Sequence, residues 1–442
     1  MVWNLIEESK KLIGIQSVTN VGNRALVDYL VPFCRRLGLN LLFQAAKNGE
    51  QELNLIASTL PAGSPNLCPD GLLWVTHLDT VPPGDPALWT ETGNDPFRAT
   101  IKEDRIYGLG SADTKLDFLC KLKALEAVGP ERLKVPFCLV GTYGEERALA
   151  GIKQLRQSGL VRPRYALVGE PSELQPVVKH KGILYMKLTF HADTSDSSGR
   201  SDRSKRQFIG RAAHGSTPHL GENAIQKGCE WLFQEQKGRP NLQLLSIQGG
   251  TVHNIVPERC EIEVGAGSAP SPSIRFLKNF WDLIGSANRR LLEVQDPEFD
   301  PPVTTCNVGV VRTVGETIEI EFDFRLIPST DGNELFEIFR KLEDFPGARI
   351  QVLSSNAPME TPRQSDLVKR VGDSLKTSGL PCSFMVKSGN TEGAILREMG
   401  AEAVVIGPGR STGNIHRPNE YNEISQLKKA VEFYTEFLKG FF

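Results

Sequence analysis

Four short apolar runs, each ending in a polar turn rich in potential ligands, constrain this chain more than any other feature. Leu72-Leu73-Trp74-Val75-Thr76 runs into His77-Leu78-Asp79, and Phe137-Cys138-Leu139-Val140 into Gly144-Glu145-Glu146. Tyr165-Ala166-Leu167-Val168 runs into Gly169-Glu170-Pro171, and Ala403-Val404-Val405-Ile406 into Gly407-Pro408-Gly409 and on to His416. A short continuous apolar run reads as a strand buried on both faces. Helical stretches lie between the runs, from Thr114 to Val128 and from Ala148 to Ser158, and two more precede them at residues 3–13 and 22–37. The alternation predicts an α/β fold, a sheet covered by helices on both faces. Ligands bind such sheets beyond the carboxyl ends of the strands. His77, Asp113, Glu145, Glu146, Glu170 and His416 all fall at that end, which predicts one assembled site.

The Glu145-Glu146 pair is electrostatically awkward, because adjacent carboxylates raise each other's pKa. A lone pair of this kind is ordinarily a solvated turn; here the other ligand-type residues point to a bound cation. Two histidines and several carboxylates, with no cysteine among them, suit a hydrolytic Zn²⁺ site, with Co²⁺ or Mn²⁺ as substitutes. Six groups exceed the needs of one tetrahedral ion and a base. They fit two ions about 3.5–4 Å apart that share a bridging carboxylate and a water. One glutamate then serves as ligand and its neighbour as general base. Asp79, two residues beyond His77, is spaced to hydrogen-bond that imidazole and fix its tautomer.

At 442 residues the chain is longer than one core usually serves, so two domains are expected. Between Lys179 and Asn356 the pattern changes to alternation, clearest in Thr317-Ile318-Glu319-Ile320-Glu321-Phe322-Asp323-Phe324-Arg325. Alternation marks half-buried antiparallel strands with one wet face, and helices are expected over Ala224–Gln236, Ser273–Ile284 and Asn333–Leu342. Residues 179–356 therefore read as an α+β domain inserted into an α/β domain made of residues 1–178 and 357–442. Ala192 to Gln207 is nearly devoid of apolar residues and reads as a surface loop. With 51 Lys+Arg against 53 Asp+Glu, the charge gives no hint of nucleic-acid or membrane binding. The eight scattered cysteines form no CxxC and read as reduced buried thiols. Acidic residues stand where a signal peptide would be apolar, and no run has membrane-spanning length. The expected compartment is the cytoplasm.

The turns also carry a resemblance. His77-Leu78-Asp79-Thr80-Val81-Pro82-Pro83-Gly84, Tyr107 through Lys115, Gly144-Glu145-Glu146, Gly169-Glu170-Pro171-Ser172 and Gly407-Pro408-Gly409 through His416-Arg417-Pro418-Asn419-Glu420 occur in the order found in one enzyme family. The chain resembles the co-catalytic zinc peptidases that include acetylornithine deacetylase, succinyl-diaminopimelate desuccinylase, aminoacylase and glutamate carboxypeptidase. The resemblance implies a zinc-dependent exopeptidase type of mixed sheet, with an inserted lid that mediates homodimerisation. It implies two Zn²⁺, one held by His77 and Glu170, the other by Glu146 and His416, with Asp113 bridging and Glu145 as general base. Gly210 through His219 resembles the family stretch whose histidine reaches across the dimer to the oxyanion, a role that falls to His214. Asn254, Arg325, Gly389 and Thr391 match positions at which relatives contact substrate.

Glu170, the string Gly169 to Val177 with His180-Lys181-Gly182, and the Thr391-Glu392 pair are most similar to acetylornithine deacetylase. The expected reaction is hydrolysis of the amide of a small N-acyl amino acid, N-acetylornithine or a close analogue. The alternatives are a desuccinylase or a broad aminoacylase or dipeptidase. In another class, the alternative is a catalytically silent binding protein on the same fold; the intact set of six site residues favours the enzyme. A phosphatase or nuclease would need a basic site, and only the 200–206 tract offers one.

Overall fold

The computed structural model of this chain describes residues 3–19, 21–47, 49–191 and 203–442. The four apolar runs form strands Leu72–His77, Phe137–Thr142, Tyr165–Gly169 and Glu402–Val405, all parallel to one another. The first three are buried at every position. They form the middle of a nine-stranded mixed sheet. Its order is Asn40–Ala46, Gly49–Ser58, Phe137–Thr142, Leu72–His77, Tyr165–Gly169, Glu402–Val405, Val177–His180 and Met359–Glu360, with Met385–Lys387 paired to Val177–His180. Because the central four are parallel, their carboxyl ends share one edge, and the polar turns converge there.

Helix Lys115–Val128 is buried around nearly its whole circumference, including Lys115, Asp117 and Lys121. A helix covered on all sides is a core helix. Helix Ile424–Lys439 shares its apolar cluster through Phe433, Tyr434 and Phe437, and the last two meet Trp74 of the central strand. Each fully buried aliphatic or aromatic side chain of this kind contributes about 1.5–3 kcal/mol. A second apolar cluster lies around Val75, Val140, Ile152 and Leu396, so the sheet is covered on both faces.

The chain divides into two units, Met1–Lys179 with Met359–Val386 and Thr391–Phe442, and His180–Pro358 with Lys387–Asn390. The second contains a seven-stranded sheet in the order Ser204–Ile209, Arg259–Ala266, Leu242–Gly249, Thr305–Val314, Thr317–Leu326, Gly182–His191 and Arg349–Asn356. Its pairings are antiparallel. Strand Gly182–His191 alternates buried and half-buried positions, as a sheet with one covered face requires. The covered side packs against helices Ala224–Gly238, Pro272–Glu293 and Gly332–Arg340.

The structure corrects two local expectations in this unit. The expected loop over Ala192–Gln207 lies outside the described residues from 192 to 202, but Ser204–Gln207 belongs to an edge strand. The run lacks apolar alternation because its register is supported by cross-strand charge: Lys205 pairs with Glu261 at 2.6 Å, and Arg203 with Glu263 at 3.4 Å. A charged edge is a common way to discourage further strand pairing. The expected helix over Ser273–Ile284 runs to Glu293, with Ser271 capping its N-terminus and Pro272 at its first turn. All eight cysteines are free, and six of them are buried.

Candidate active site

His77 ends its strand with its imidazole buried. Nδ1 lies 3.0 Å from the backbone carbonyl of Asp79, an acceptor only, so Nδ1 carries a proton and Nε2 faces the site. This refines the expected role of Asp79: its main chain, not its carboxylate, makes the hydrogen bond to the ring. The Asp79 carboxylate is 3.7 Å from Nδ1 and is engaged elsewhere. Its Oδ1 accepts from the Glu145 N–H at 3.0 Å, and its Oδ2 from the Glu146 N–H at 3.3 Å and the Thr19 hydroxyl at 2.8 Å. The residue that follows His77 by two thus holds the acidic turn in place. Gly144, at φ 62°, supplies the left-handed residue that this turn needs.

Asp113 lies between the two imidazoles. Its Oδ1 is 3.0 Å from His77 Nε2, and its Oδ2 is 3.1 Å from His416 Nε2. Glu146 Oε1 is 3.0 Å from the same His416 nitrogen, and Glu170 Oε1 is 3.9 Å from His77 Nε2. Two groupings with cation-ligating spacing result, His77–Asp113–Glu170 and Asp113–Glu146–His416, with Asp113 common to both. A third grouping, His77–Glu145–Glu146, overlaps them. His416 reaches the cluster from a backbone at φ 58°. A non-glycine residue in that region is strained and is found at functional sites.

Glu420 went unassigned in the sequence, although it closes the His416 motif. It is almost fully buried and accepts from the N–H groups of Ala112, Asp113 and Gly110 at 2.8, 3.0 and 3.2 Å. It thereby fixes the loop that carries Asp113. Burial, and then the Asp113 charge, push its carboxyl up to about 7, against the pull of those N–H groups. Glu392 is a second buried carboxyl beside the cluster; burial pushes it up to about 7, opposed by the Thr142 hydroxyl and the His77 charge. Nothing in the local sequence separates Glu392 from a surface-turn glutamate.

Charge makes the cluster's chemistry explicit. Burial raises Glu145 well above the carboxylate range, and the Glu170 charge adds to it. Burial also raises Glu146, with His416 opposing. On His416, burial is outweighed by the hydrogen bonds to Asp113 and Glu146, which hold the imidazole at about 11. On His77 burial is likewise outweighed, by Asp113, Asp79 and the Glu145 charge together, and the pKa is raised. With all four carboxylates of the cluster ionised, even two protonated imidazoles would leave two negative charges uncompensated. Two divalent cations with neutral imidazoles would balance the set, so the residues fit a dinuclear metal group.

The other expected site residues lie largely in the second unit. His214 Nδ1 accepts from the Ser216 N–H at 3.1 Å and sits 2.7 Å from the Ser216 hydroxyl. Because Nδ1 is an acceptor, the neutral ring carries its proton on Nε2. Desolvation, followed by the Arg325 charge, lowers the His214 pKa and favours that neutral form. Arg325 donates from Nε to Asp323 at 2.7 Å and is buried. The Asn254 carbonyl accepts from Gly215 at 2.7 Å, so Asn254 adjoins the His214 turn. Gly389 is exposed, whereas Thr391 is buried and its hydroxyl accepts from the Gly393 N–H at 3.2 Å. His253, with no role expected, stacks on Tyr185 at a centroid distance of 3.7 Å.

The profile of peptidase family M20/M25/M40 matches residues 73–440. The chain belongs to this family. It is 26% identical over 454 residues to acetylornithine deacetylase of Klebsiella pneumoniae (strain 342), covering 100% of this chain and 97% of that protein. Among solved structures, it resembles aminoacylhistidine dipeptidase from Vibrio alginolyticus at a TM-score of 0.70 and 16% identity, covering 99% of this chain and 96% of that one. It also resembles an M20 family metallo-carboxypeptidase from Sulfolobus solfataricus at a TM-score of 0.65 and 20% identity, covering 99% of each. This M20 chain is a metal-dependent hydrolase of amide bonds, in the deacylase branch of its relatives. Among the described residues, no helix is long and apolar enough to cross a membrane.

Proposed function

We propose that this M20 chain is a di-zinc deacylase that hydrolyses the amide of a small N-acyl amino acid, with N-acetylornithine or a close analogue as substrate. The observation that carries this reading is the placement of Asp113, with one carboxylate oxygen on each imidazole. The Klebsiella deacetylase, matched along the whole chain, supports the substrate class.

His77, Glu170 and Asp113 would hold one Zn²⁺, and Asp113, Glu146 and His416 the other; Co²⁺ or Mn²⁺ would substitute. When bound, such a pair lowers the pKa of water and polarises the scissile carbonyl. Glu145 takes the proton of the attacking water and returns it to the leaving amine. His214, with its proton on Nε2, donates to the oxyanion as charge develops. Arg325 and Asn254 bind the substrate's polar groups, the guanidinium offering a fork for a carboxylate. Gly389 and Thr391 belong to the loop that borders the substrate. The second unit, residues 179–356 in the sequence reading, acts as lid and homodimer interface. The working compartment is the cytoplasm.

The deciding experiment is a hydrolysis screen of the zinc-loaded protein with N-acetylornithine, other N-acetyl amino acids, N-succinyl-diaminopimelate and dipeptides. N-Acetylornithine should give the highest kcat/KM; preference for the succinyl substrate or a dipeptide would reject the assignment. His416→Ala should retain one zinc of two by elemental analysis, since Asp113 and Glu146 alone make a poor second site. Mixing inactive His214→Ala subunits with inactive Glu145→Gln subunits should restore part of the activity. Proven heterodimers without any recovery would refute sharing of the site between subunits.

A further inference from the structure

Beneath the metal-ligand cluster lies a buried polar group that the mechanism does not use. Asp117 and Lys121, one turn apart on helix Lys115–Val128, are both fully enclosed and pair at 2.7 Å. The three protons of Lys121 find three acceptors: Asp117 Oδ2, the Val75 carbonyl at 2.7 Å and the Thr76 hydroxyl at 2.8 Å. The Thr76 hydroxyl donates to Asp117 Oδ2 at 2.6 Å. The other carboxylate oxygen accepts from the Tyr434 hydroxyl at 2.5 Å, which also lies 3.0 Å from the Ile406 carbonyl. Every group in the network is satisfied, and its members come from two helices and the ends of two parallel strands.

The same carboxylate is wedged against two further backbones. A Cβ on Gly169 would lie 1.9 Å from Asp117 Oδ2, and one on Gly407 would lie 3.3 Å from Asp117 Oδ1. Gly407 in turn abuts Glu170: its Cβ would meet the Glu170 carbonyl at 2.7 Å, and Leu174 donates to the Gly407 carbonyl at 3.0 Å. Asp117 therefore touches the residue before His77, the residue before Glu170 and the opening of the segment that leads to His416. It also lies on the first turn of the helix that Asp113 precedes, four residues further along the chain. Four of the five proposed metal ligands are attached to segments that meet at this one carboxylate.

We propose that Asp117, with Lys121 and Tyr434, is a positioning group for the metal centre, fixing the strand ends so that the ligands keep the spacing two cations need. The inference rests on the di-metal reading of the site. Directional hydrogen bonds set the relative height of neighbouring strand ends in a way that apolar contacts do not. Metal-site geometry is sensitive to displacements of about 0.5 Å. Replacing groups that support metal ligands typically weakens metal binding about 10–100-fold. A buried ion pair is, by contrast, a poor source of stability, and an apolar pair of equal volume is often neutral or better. Positioning and plain stabilisation therefore predict different outcomes.

The test compares the full-length parent with Asp117→Leu/Lys121→Met, which removes both charges at near-constant volume, and with Tyr434→Phe. Thermal unfolding of the metal-free proteins is measured alongside Zn²⁺ affinity by chelator competition. The double variant should unfold within a few degrees of the parent and bind Zn²⁺ about 10–100-fold more weakly. Tyr434→Phe should bind it about threefold more weakly with its unfolding temperature unchanged. A folded double variant with parental affinity for both ions overturns the proposal. If the double variant does not fold, parental affinity in Tyr434→Phe overturns it instead. A parent that binds no Zn²⁺ removes the di-metal reading itself, and the inference with it.

Discussion

Glu145→Gln is expected to reduce kcat by roughly 10²–10⁴-fold while leaving KM and metal content nearly unchanged, because it removes a proton carrier and little else. The substitution is isosteric. The backbone N–H of residue 145 still donates to Asp79, so the acidic turn keeps its shape. Glutamine cannot accept the proton of the attacking water, and the other three carboxylates of the groupings, Asp113, Glu146 and Glu170, would be engaged as metal ligands. The alternative is written into the same cluster, since Glu145 also groups with His77 and Glu146 at cation-ligating spacing. Kinetics and elemental analysis on one preparation separate the two roles. Loss of a metal ion would make Glu145 a ligand, and full activity with both ions present would end its assignment as base.

The strand ends were legible in the sequence for a physical reason. Strands Leu72–His77, Phe137–Thr142 and Tyr165–Gly169 are covered on both faces, and that leaves uninterrupted apolar runs that stop where the ligands begin. The α/β class and the convergence of His77, Asp113, Glu145, Glu146, Glu170 and His416 follow from that pattern, and the second sheet with one wet face follows from the alternation downstream. Edge strands were not legible. Asn40–Ala46 is half-exposed, and Ser204–Ile209 is held through ion pairs to a neighbour more than fifty residues away. The division of labour within Asp79 was hidden as well. Residue spacing places a carboxylate near His77, but only the folded turn shows that the imidazole takes the main-chain carbonyl and leaves the carboxylate to Glu145 and Glu146. Glu420 and Glu392 stood in motifs without a role, and Asp117 in none, because a buried carboxylate and a solvated one are the same letter. What marks them is burial and the groups around them, which only the fold supplies.

Asp113→Ala is expected to empty both cation positions, a larger effect than the loss of any other proposed ligand. His77 and Glu170 serve one grouping, Glu146 and His416 the other, and Asp113 alone stands in both. Removing it takes one donor from each position and the bridge that keeps two divalent charges at short range. Support residues around metal ligands are worth about 10–100-fold in affinity, so a shared ligand should exceed that at each ion. The loop itself should survive, because Glu420 binds the N–H groups of Gly110, Ala112 and residue 113, which alanine retains. Elemental analysis after dialysis should find well under one ion per chain in Asp113→Ala, against one in His416→Ala and two in the parent. Two ions retained in Asp113→Ala would mean that the carboxylate only neutralises the imidazoles and bridges nothing. In the metal-free protein the same change should also lower the pKa of His416, now held at about 11 by Asp113 and Glu146 together. Histidine NMR titrations of the apo parent and variant would register that shift separately from metal loss.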